Sequence, residues 1–233
     1  THIFNNAFYI LGTGKMALRN LRLMGARENQ LVDFPYYIDC NVYSPPNLLN
    51  DDVSYKYTFL SSGRLVNSQK GYDISIRAFA KIVVKYPNLP LRYLIAGTGP
   101  DLGTLTSLVG SLGVTNKVHF LGWLEPHSLS DFYKSGLYFL HPALFEPYGV
   151  AILEAMGSAN IVIGSNQTGA IVDRITHGVN GFFHENGNVN QIYDIICSLL
   201  EDQVLSFKIS EKARKTVLSF QSQSGLDKLN ILL

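Results

Sequence analysis

Glu146 and Glu154 are two carboxylates eight positions apart, and the stretch they bracket is the part of this chain best suited to chemistry. Gly149 opens the run Val150-Ala151-Ile152-Leu153-Glu154-Ala155-Met156, which is apolar on every face except at Glu154. A helix that is apolar all round is normally buried, and a buried carboxylate is costly unless something pairs with it. Gly149 lets another molecule approach the first turn, where free N–H groups and the positive dipole end suit an anion such as phosphate. The pattern fits a ligand that carries both phosphate and hydroxyl groups. Earlier in the chain, Ser62-Gly63-Arg64-Leu65-Val66-Asn67-Ser68-Gln69-Lys70-Gly71 places two cations six positions apart. Such a pair can clamp a diphosphate, Arg64 as a planar fork and Lys70 as a mobile point charge. Taken alone, the same two cations read equally well as solvated residues beside a helix start.

The elements that must position these groups alternate regularly. Apolar strands are predicted at 57–61, 91–96, 118–121, 137–140 and 161–163, with a short one at 181–183. Helices are predicted at 72–85, 101–112, 128–134, 149–158 and 189–200, and the stretch 206–233 reads as one or two closing helices. Strands alternating with helices imply an α/β fold with a doubly wound parallel sheet, Rossmann-like in type. Ligands of such sheets sit outside the carboxyl ends of the strands. The loops after Leu60, Ala96, Leu121, Leu140 and Ile163 therefore surround one crevice. Ahead of this domain, strands at 7–11 and 30–34 flank a helix over 15–24, and Ser44-Pro45-Pro46-Asn47 to Asp51-Asp52 is a proline-marked linker. A two-stranded unit cannot bury a core alone, so the first 40 or so residues belong to something larger or lean on the next domain.

Other motifs are weaker. Gly12-Thr13-Gly14-Lys15 lacks the spacing of a phosphate loop and the hydroxyl residue after its lysine, so it is read as a strand-to-helix turn. Gly97-Thr98-Gly99-Pro100-Asp101-Leu102-Gly103 has one residue too many for a dinucleotide fingerprint. No acid ends the next strand, where Leu121-Gly122-Trp123 stands, so it too reads as a tight turn. Trp123 and Leu124 could line a pocket for a base, and Trp123 reads equally as a rim or core aromatic. His141, just ahead of Glu146, reads as a packed or hydrogen-bonded residue rather than a catalyst. In Thr168-Gly169-Ala170, small side chains let backbone N–H groups reach a phosphate or sugar.

Composition narrows the function classes. Hydrophobic residues make up 46% of the 233 and charged residues 16%, enough apolar content for a real core. The net charge of +1 gives no basis for a nucleic-acid partner. No run reaches the roughly 18 apolar residues of a membrane span, and the first residues do not form a secretory signal. Cys40 and Cys197 are far apart and without metal-type spacing, which points to a reducing, cytoplasmic setting. The scattered histidines and the absence of Asp-x-Asp lead us to expect no bound metal and no cofactor.

Several fragments together carry a resemblance: Gly63-Arg64-Leu65…Lys70-Gly71, Gly97-Thr98-Gly99-Pro100, Val118-His119-Phe120-Leu121-Gly122 and Glu146-x7-Glu154. Gly169 and the run Asp173 to Phe183 continue it. Over roughly residues 55 to 200 the chain resembles the carboxyl-terminal half of a family-four (group 1) retaining glycosyltransferase of the GT-B fold. Residues 9 to 39 resemble the last β-α-β of that family's amino-terminal, acceptor-binding domain. The expected division is a remnant of that domain over 1–40, a linker over 41–55, a nucleotide-sugar donor domain over 56–205 and closing helices over 206–233.

The resemblance implies that Arg64 and Lys70 bind the diphosphate of a nucleotide-sugar donor and that Glu154 accepts hydrogen bonds from the ribose diol. Glu146 would face the transferred sugar, with Arg64 and Lys70 beside it in the catalytic group. The backbone of Tyr148, Gly149 and Val150 would contact sugar and phosphate, Trp123 and Leu124 would hold the base, and Gly97 and Gly169 would complete the donor site. It implies retention of anomeric configuration without a metal, a uridine rather than guanosine donor on family frequency, and a saccharide or lipid-linked acceptor held by the other domain. It is compatible with the full protein lying peripherally on the inner face of a membrane. Turnover by this chain alone is not expected. A GT-B epimerase or phosphorylase, and a non-catalytic nucleotide-sugar-binding module, are the alternative readings. The sequence departs from the family pattern at Ala170, where a second glycine is usual, and at Ala159-Asn160-Ile161, where glycine-x-proline is usual.

Overall fold

Side chains alternate across a strand, so a sheet buried on both faces needs apolar residues at odd and even positions alike. The chain meets this condition in its central strands. The computed structural model describes residues 2–47 and 53–232, so the middle of the expected linker lies outside the described residues. Its first elements are α1 (His2–Asn6), β1 (Ile10–Gly12), α2 (Gly14–Leu23) and β2 (Leu31–Asp33). Then come α3 (Val53–Lys56), β3 (Thr58–Ser62), α4 (Asn67–Lys70), α5 (Tyr72–Lys85), β4 (Arg92–Ala96), α6 (Leu102–Ser111) and β5 (Val118–Gly122). The rest are α7 (Pro126–Lys134), β6 (Tyr138–His141), α8 (Val150–Gly157), β7 (Ile161–Ser165), α9 (Gly169–Arg174) and β8 (Phe182–His184). Helices α10 (Val189–Glu201), α11 (Gln203–Val217) and α12 (Ser222–Leu232) close the chain.

Strands β3 to β8 form a six-stranded sheet in the order β5-β4-β3-β6-β7-β8, with every pairing parallel. This is the doubly wound Rossmann order, which reverses direction between β3 and β6. Phe59, Tyr138, Leu140, Ile161 and Ile163 feed one core with residues of α5, α6 and α10. Leu60, Phe139 and Val162 feed a second core on the other face, with residues of α7, α8, α9 and α11.

The predicted elements are present with ends shifted by a few residues. The sequence reading passed over α1, α3, α4 and α9, which have only four to six residues each. Segments this short carry less than two turns of periodicity. The closing helices begin at Gln203 rather than at 206. Residues 7–11 give only the three-residue β1, which pairs in parallel with β2 as a separate sheet.

Backbone hydrogen bonds tie this smaller unit to the end of the chain. Ile38 N–H donates to the Phe220 carbonyl and Ser222 N–H to that of Ile38, both at 3.0 Å. Arg214 from α11 donates to the carbonyls of Cys40 (2.9 Å), Tyr43 (2.6 Å) and Gly157 (2.5 Å). Both cysteines are free and buried. No helix among the described residues is long and apolar enough to cross a membrane.

Candidate functional site

The crevice at the reversal point is built from the loops after β3, β4, β5 and β6. The first two are fastened to each other: Gly63 N–H donates to the Ala96 carbonyl at 3.0 Å and Leu65 N–H to that of Thr98 at 2.9 Å. They lie so close that a Cβ on Gly97, whose φ is 134°, would stand 2.0 Å from the Gly63 carbonyl oxygen. Gly97 therefore lets two loops touch, a packing duty that the fingerprint comparison did not reveal.

Helix α4 then turns the chain so that Lys70 points back into the crevice, and Gly71 ends it at a φ of 62°. The Gln69 carbonyl accepts from the N–H groups of Leu144 (2.9 Å) and Phe145 (3.2 Å), which fixes the loop after β6 beside α4. Glu146 is thereby delivered to Lys70, and the two form an ion pair with side chains only 13% and 17% exposed. The Arg64 side chain stands exposed at the mouth.

Gly149 caps the start of helix α8, and its φ of 92° suits glycine. Its first turn faces the crevice and, among the described residues, no side-chain carboxylate takes its N–H groups. One turn further, Glu154 accepts from the Tyr133 hydroxyl at 2.8 Å, and that oxygen lies 2.9 Å from Ser62 Oγ. Burial, with the nearby Glu154 charge adding to it, raises the Tyr43 phenol above its ordinary range. Burial does the same to Tyr133. Glu154 is thus held by one neutral phenol, that of Tyr133, and keeps lone pairs for a ligand.

These groups enclose a cavity of about 600 Å³. It is lined by Arg64, Lys70, Gly97, Trp123, Leu124, Glu146, Gly149, Val150 and Glu154, nine of the residues singled out from sequence. Trp123 is 69% exposed and forms the rim. Two of the singled-out residues do not line the cavity. The Tyr148 carbonyl accepts from the Ala170 N–H at 2.8 Å, while its ring packs on Tyr36 with centroids 5.2 Å apart and its hydroxyl accepts from Arg174 at 3.1 Å, so the side chain faces the smaller unit. The Gly169 N–H donates to the Glu146 carbonyl at 3.1 Å and is not free for a ligand. A Cβ on Gly169 would meet the Pro147 carbonyl oxygen at 2.3 Å, so this glycine serves close packing of α9.

His141 lines the cavity too, with its Nε2 at 3.9 Å from Glu146 Oε2. Burial, aided by the nearby Lys70 charge, lowers its pKa to about 3, so the ring is neutral. Tyr133 and Ser62 escaped the sequence reading. Tyr133 ends a helix near the crevice, but only the fold shows that its hydroxyl reaches Glu154. Among the described residues no group of three or more His, Cys, Asp or Glu side chains could hold a metal.

The model of the family "Glycosyl transferases group 1" matches residues 51–216. The chain belongs to this family. An uncharacterized glycosyltransferase of Methanocaldococcus jannaschii is 33% identical over 166 residues, which are 71% of this chain and 41% of that protein. The N-acetyl-alpha-D-glucosaminyl L-malate synthase of Bacillus anthracis is 31% identical over 142 residues, 61% of this chain and 36% of that one. The chain thus spans well under half the length of these curated relatives. Among solved structures, Anabaena HepE in complex with UDP superposes with a TM-score of 0.85 at 21% identity, covering 97% of this chain and 63% of that chain. This likeness is one of fold. The group 1 architecture is GT-B, and the six-stranded unit is its Rossmann-like half.

Proposed function

We propose that the six-stranded unit binds a nucleoside-diphosphate sugar and serves glycosyl transfer with retention of configuration, without a metal. The observation that carries this reading is one cavity joining Arg64, Lys70, Glu146, the start of α8 and Glu154. Arg64 and Lys70 take the diphosphate with the first N–H groups of α8. Glu154, already oriented by Tyr133, accepts from the ribose diol. Glu146 faces the transferred sugar, while Trp123 and Leu124 flank the base and Gly97 keeps the wall thin.

The chemistry follows from where charge develops. When the bond between the anomeric carbon and the diphosphate oxygen breaks, the electron pair leaves with the diphosphate and the sugar becomes oxocarbenium-like. Fixed cations and a helix N-terminus stabilise that leaving charge without reorganising. Loss of one such donor typically costs about 2.7–4 kcal/mol of barrier. A uridine donor is favoured over a guanosine one, in keeping with HepE structures that hold UDP and UDP-glucose. A saccharide or lipid-linked acceptor is assigned to a second α/β domain to which β1, α2 and β2 belong, so transfer by this chain alone is not expected.

Calorimetry against a panel of nucleotide sugars tests the reading. A UDP-sugar should bind, with an affinity lowered in Arg64→Ala and in Glu154→Ala. Unchanged affinity in both variants would remove the basis for the assignment.

A further inference from the structure

Glu146 has an ion-pair partner that the proposed donor would remove. The Lys70 ammonium rests on Glu146 Oε2, and both side chains are largely shielded from water. A diphosphate draws Lys70 more strongly than one carboxylate does, and its flexible stem lets the ammonium swing. Glu146 is then left charged in a pocket where its side chain is 13% exposed, and an unpaired charge there is expensive.

A second donor already stands beside it. His141 ends β6, is 5% exposed, and holds Nε2 at 3.9 Å from Glu146 Oε2. That nitrogen is buried without a hydrogen-bond partner, which is uncommon for a buried polar atom. A neutral imidazole carries one N–H, and an ionised carboxylate only accepts. The tautomer that suits this neighbour has its proton on Nε2. The present gap is too long for a hydrogen bond, and closing it needs a shift of only about 1 Å.

We infer that His141 is a positioning residue: its Nε2–H takes over Glu146 when Lys70 turns to the diphosphate, keeping the carboxylate aimed at the transferred sugar. The inference rests on the donor reading above and adds to it a hand-over between two partners. It has a consequence that a merely structural histidine would not have. With UDP bound there is no sugar, and Glu146 depends on His141 alone. With a UDP-sugar bound, sugar hydroxyls share the carboxylate. Removing the His141 N–H should therefore weaken UDP more than UDP-glucose.

The test is calorimetry of UDP and UDP-glucose on the wild type, His141→Leu, His141→Gln and Thr168→Val. Thr168 is the control, because it bridges to Glu146 through the backbone and its buried Oγ1 also lacks a partner. His141→Leu should lose on the order of tenfold or more in UDP affinity and much less for UDP-glucose. His141→Gln, whose amide can donate to the same carboxylate, should recover most of the loss, and Thr168→Val should leave the ratio of affinities unchanged. An equal effect of His141→Leu on both ligands, or the selective loss in Thr168→Val instead, overturns the inference while leaving the donor reading intact. Wild type that binds neither ligand overturns both. A nitrogen–proton spectrum of the wild-type ring is independent of any variant's folding: the proton should lie on Nε2 and its signal should move on adding UDP. A proton on Nδ1 would contradict the inference.

Discussion

Helices α2 and α8 begin alike, each following a strand and opening at a glycine with positive φ, 80° at Gly14 and 92° at Gly149. Their first turns have opposite fates. At α2 the Gly14 N–H donates to Asp33 Oδ1 at 3.0 Å and the Lys15 N–H to the Asp173 carboxylate at 3.3 Å. At α8 the first turn faces a cavity that also holds two cations. The local motif sets only a geometry, an N-terminus that favours negative charge. Whether a ligand can use it depends on whether the chain's own carboxylates arrive first. Asp33 and Asp173 come from β2 and α9, distant in sequence, and fill the place at α2.

This contrast can be broken by substitution. Arg64→Ala should lower UDP affinity on the order of 100-fold, as expected for loss of a charge-assisted fork, whereas Asp173→Asn at the other helix should leave it within about twofold. Isothermal calorimetry measures both. Among the glycines, Gly149→Ala should destabilise by about 1–2 kcal/mol through its left-handed backbone and also weaken UDP, because its Cβ would stand 3.1 Å from Glu146 Cγ. Gly14→Ala should destabilise without touching UDP affinity, since its Cβ would collide with Asp173 Oδ2. Urea unfolding and calorimetry on the two variants separate these outcomes.

The groups behind the α8 site add a pH dependence. Burial lowers the pKa of His141, to about 3, and that of His184. Both start from an ordinary value of 6.5. As pH falls below that value the unfolded chain binds protons that the folded chain refuses, so stability falls with acidification. Each such histidine contributes a slope of up to about 1.4 kcal/mol per pH unit. Urea midpoints between pH 7.5 and 5.5 should decline, and His141→Gln should flatten the decline. The smallest effect is at the far end of α8. Among the described residues Ala159 alone adopts a positive φ, 62°, without being a glycine. Ala159→Gly should raise stability by roughly 0.5–1 kcal/mol, read from the thermal midpoint, and leave UDP affinity unchanged.

The sheet was legible because its strands are apolar at successive positions and its helices amphipathic, patterns that survive without knowledge of contacts. The cavity's charged members were legible for the same kind of reason: Arg64, Lys70, Glu146 and Glu154 sit at strand ends or on a helix whose apolar faces leave them conspicuous. The pairing of Lys70 with Glu146 was not, because it depends on α4, a single turn with no periodicity to read. Nor was the phenol of Tyr133 on Glu154, since an aromatic at a helix end looks like core packing until the fold aims its hydroxyl. Gly169 shows the opposite error. A small residue in a strand-end loop invites a ligand, yet its N–H is spent on the Glu146 carbonyl. Asn160 donates to the carbonyls of Tyr133 (2.9 Å) and Gly136 (2.6 Å) and so holds the turn after α8 by its side chain.

Titrating UDP into the ¹⁵N-labelled protein and following backbone amides tests the contrast between the two helix starts most directly. The amides of Val150 and Ala151 should shift progressively with UDP while those of Gly14 and Lys15 stay fixed. Shifts at Gly14 and Lys15, or none at Val150 and Ala151 in the presence of bound nucleotide, would contradict the assignment of α8 as the phosphate-binding end.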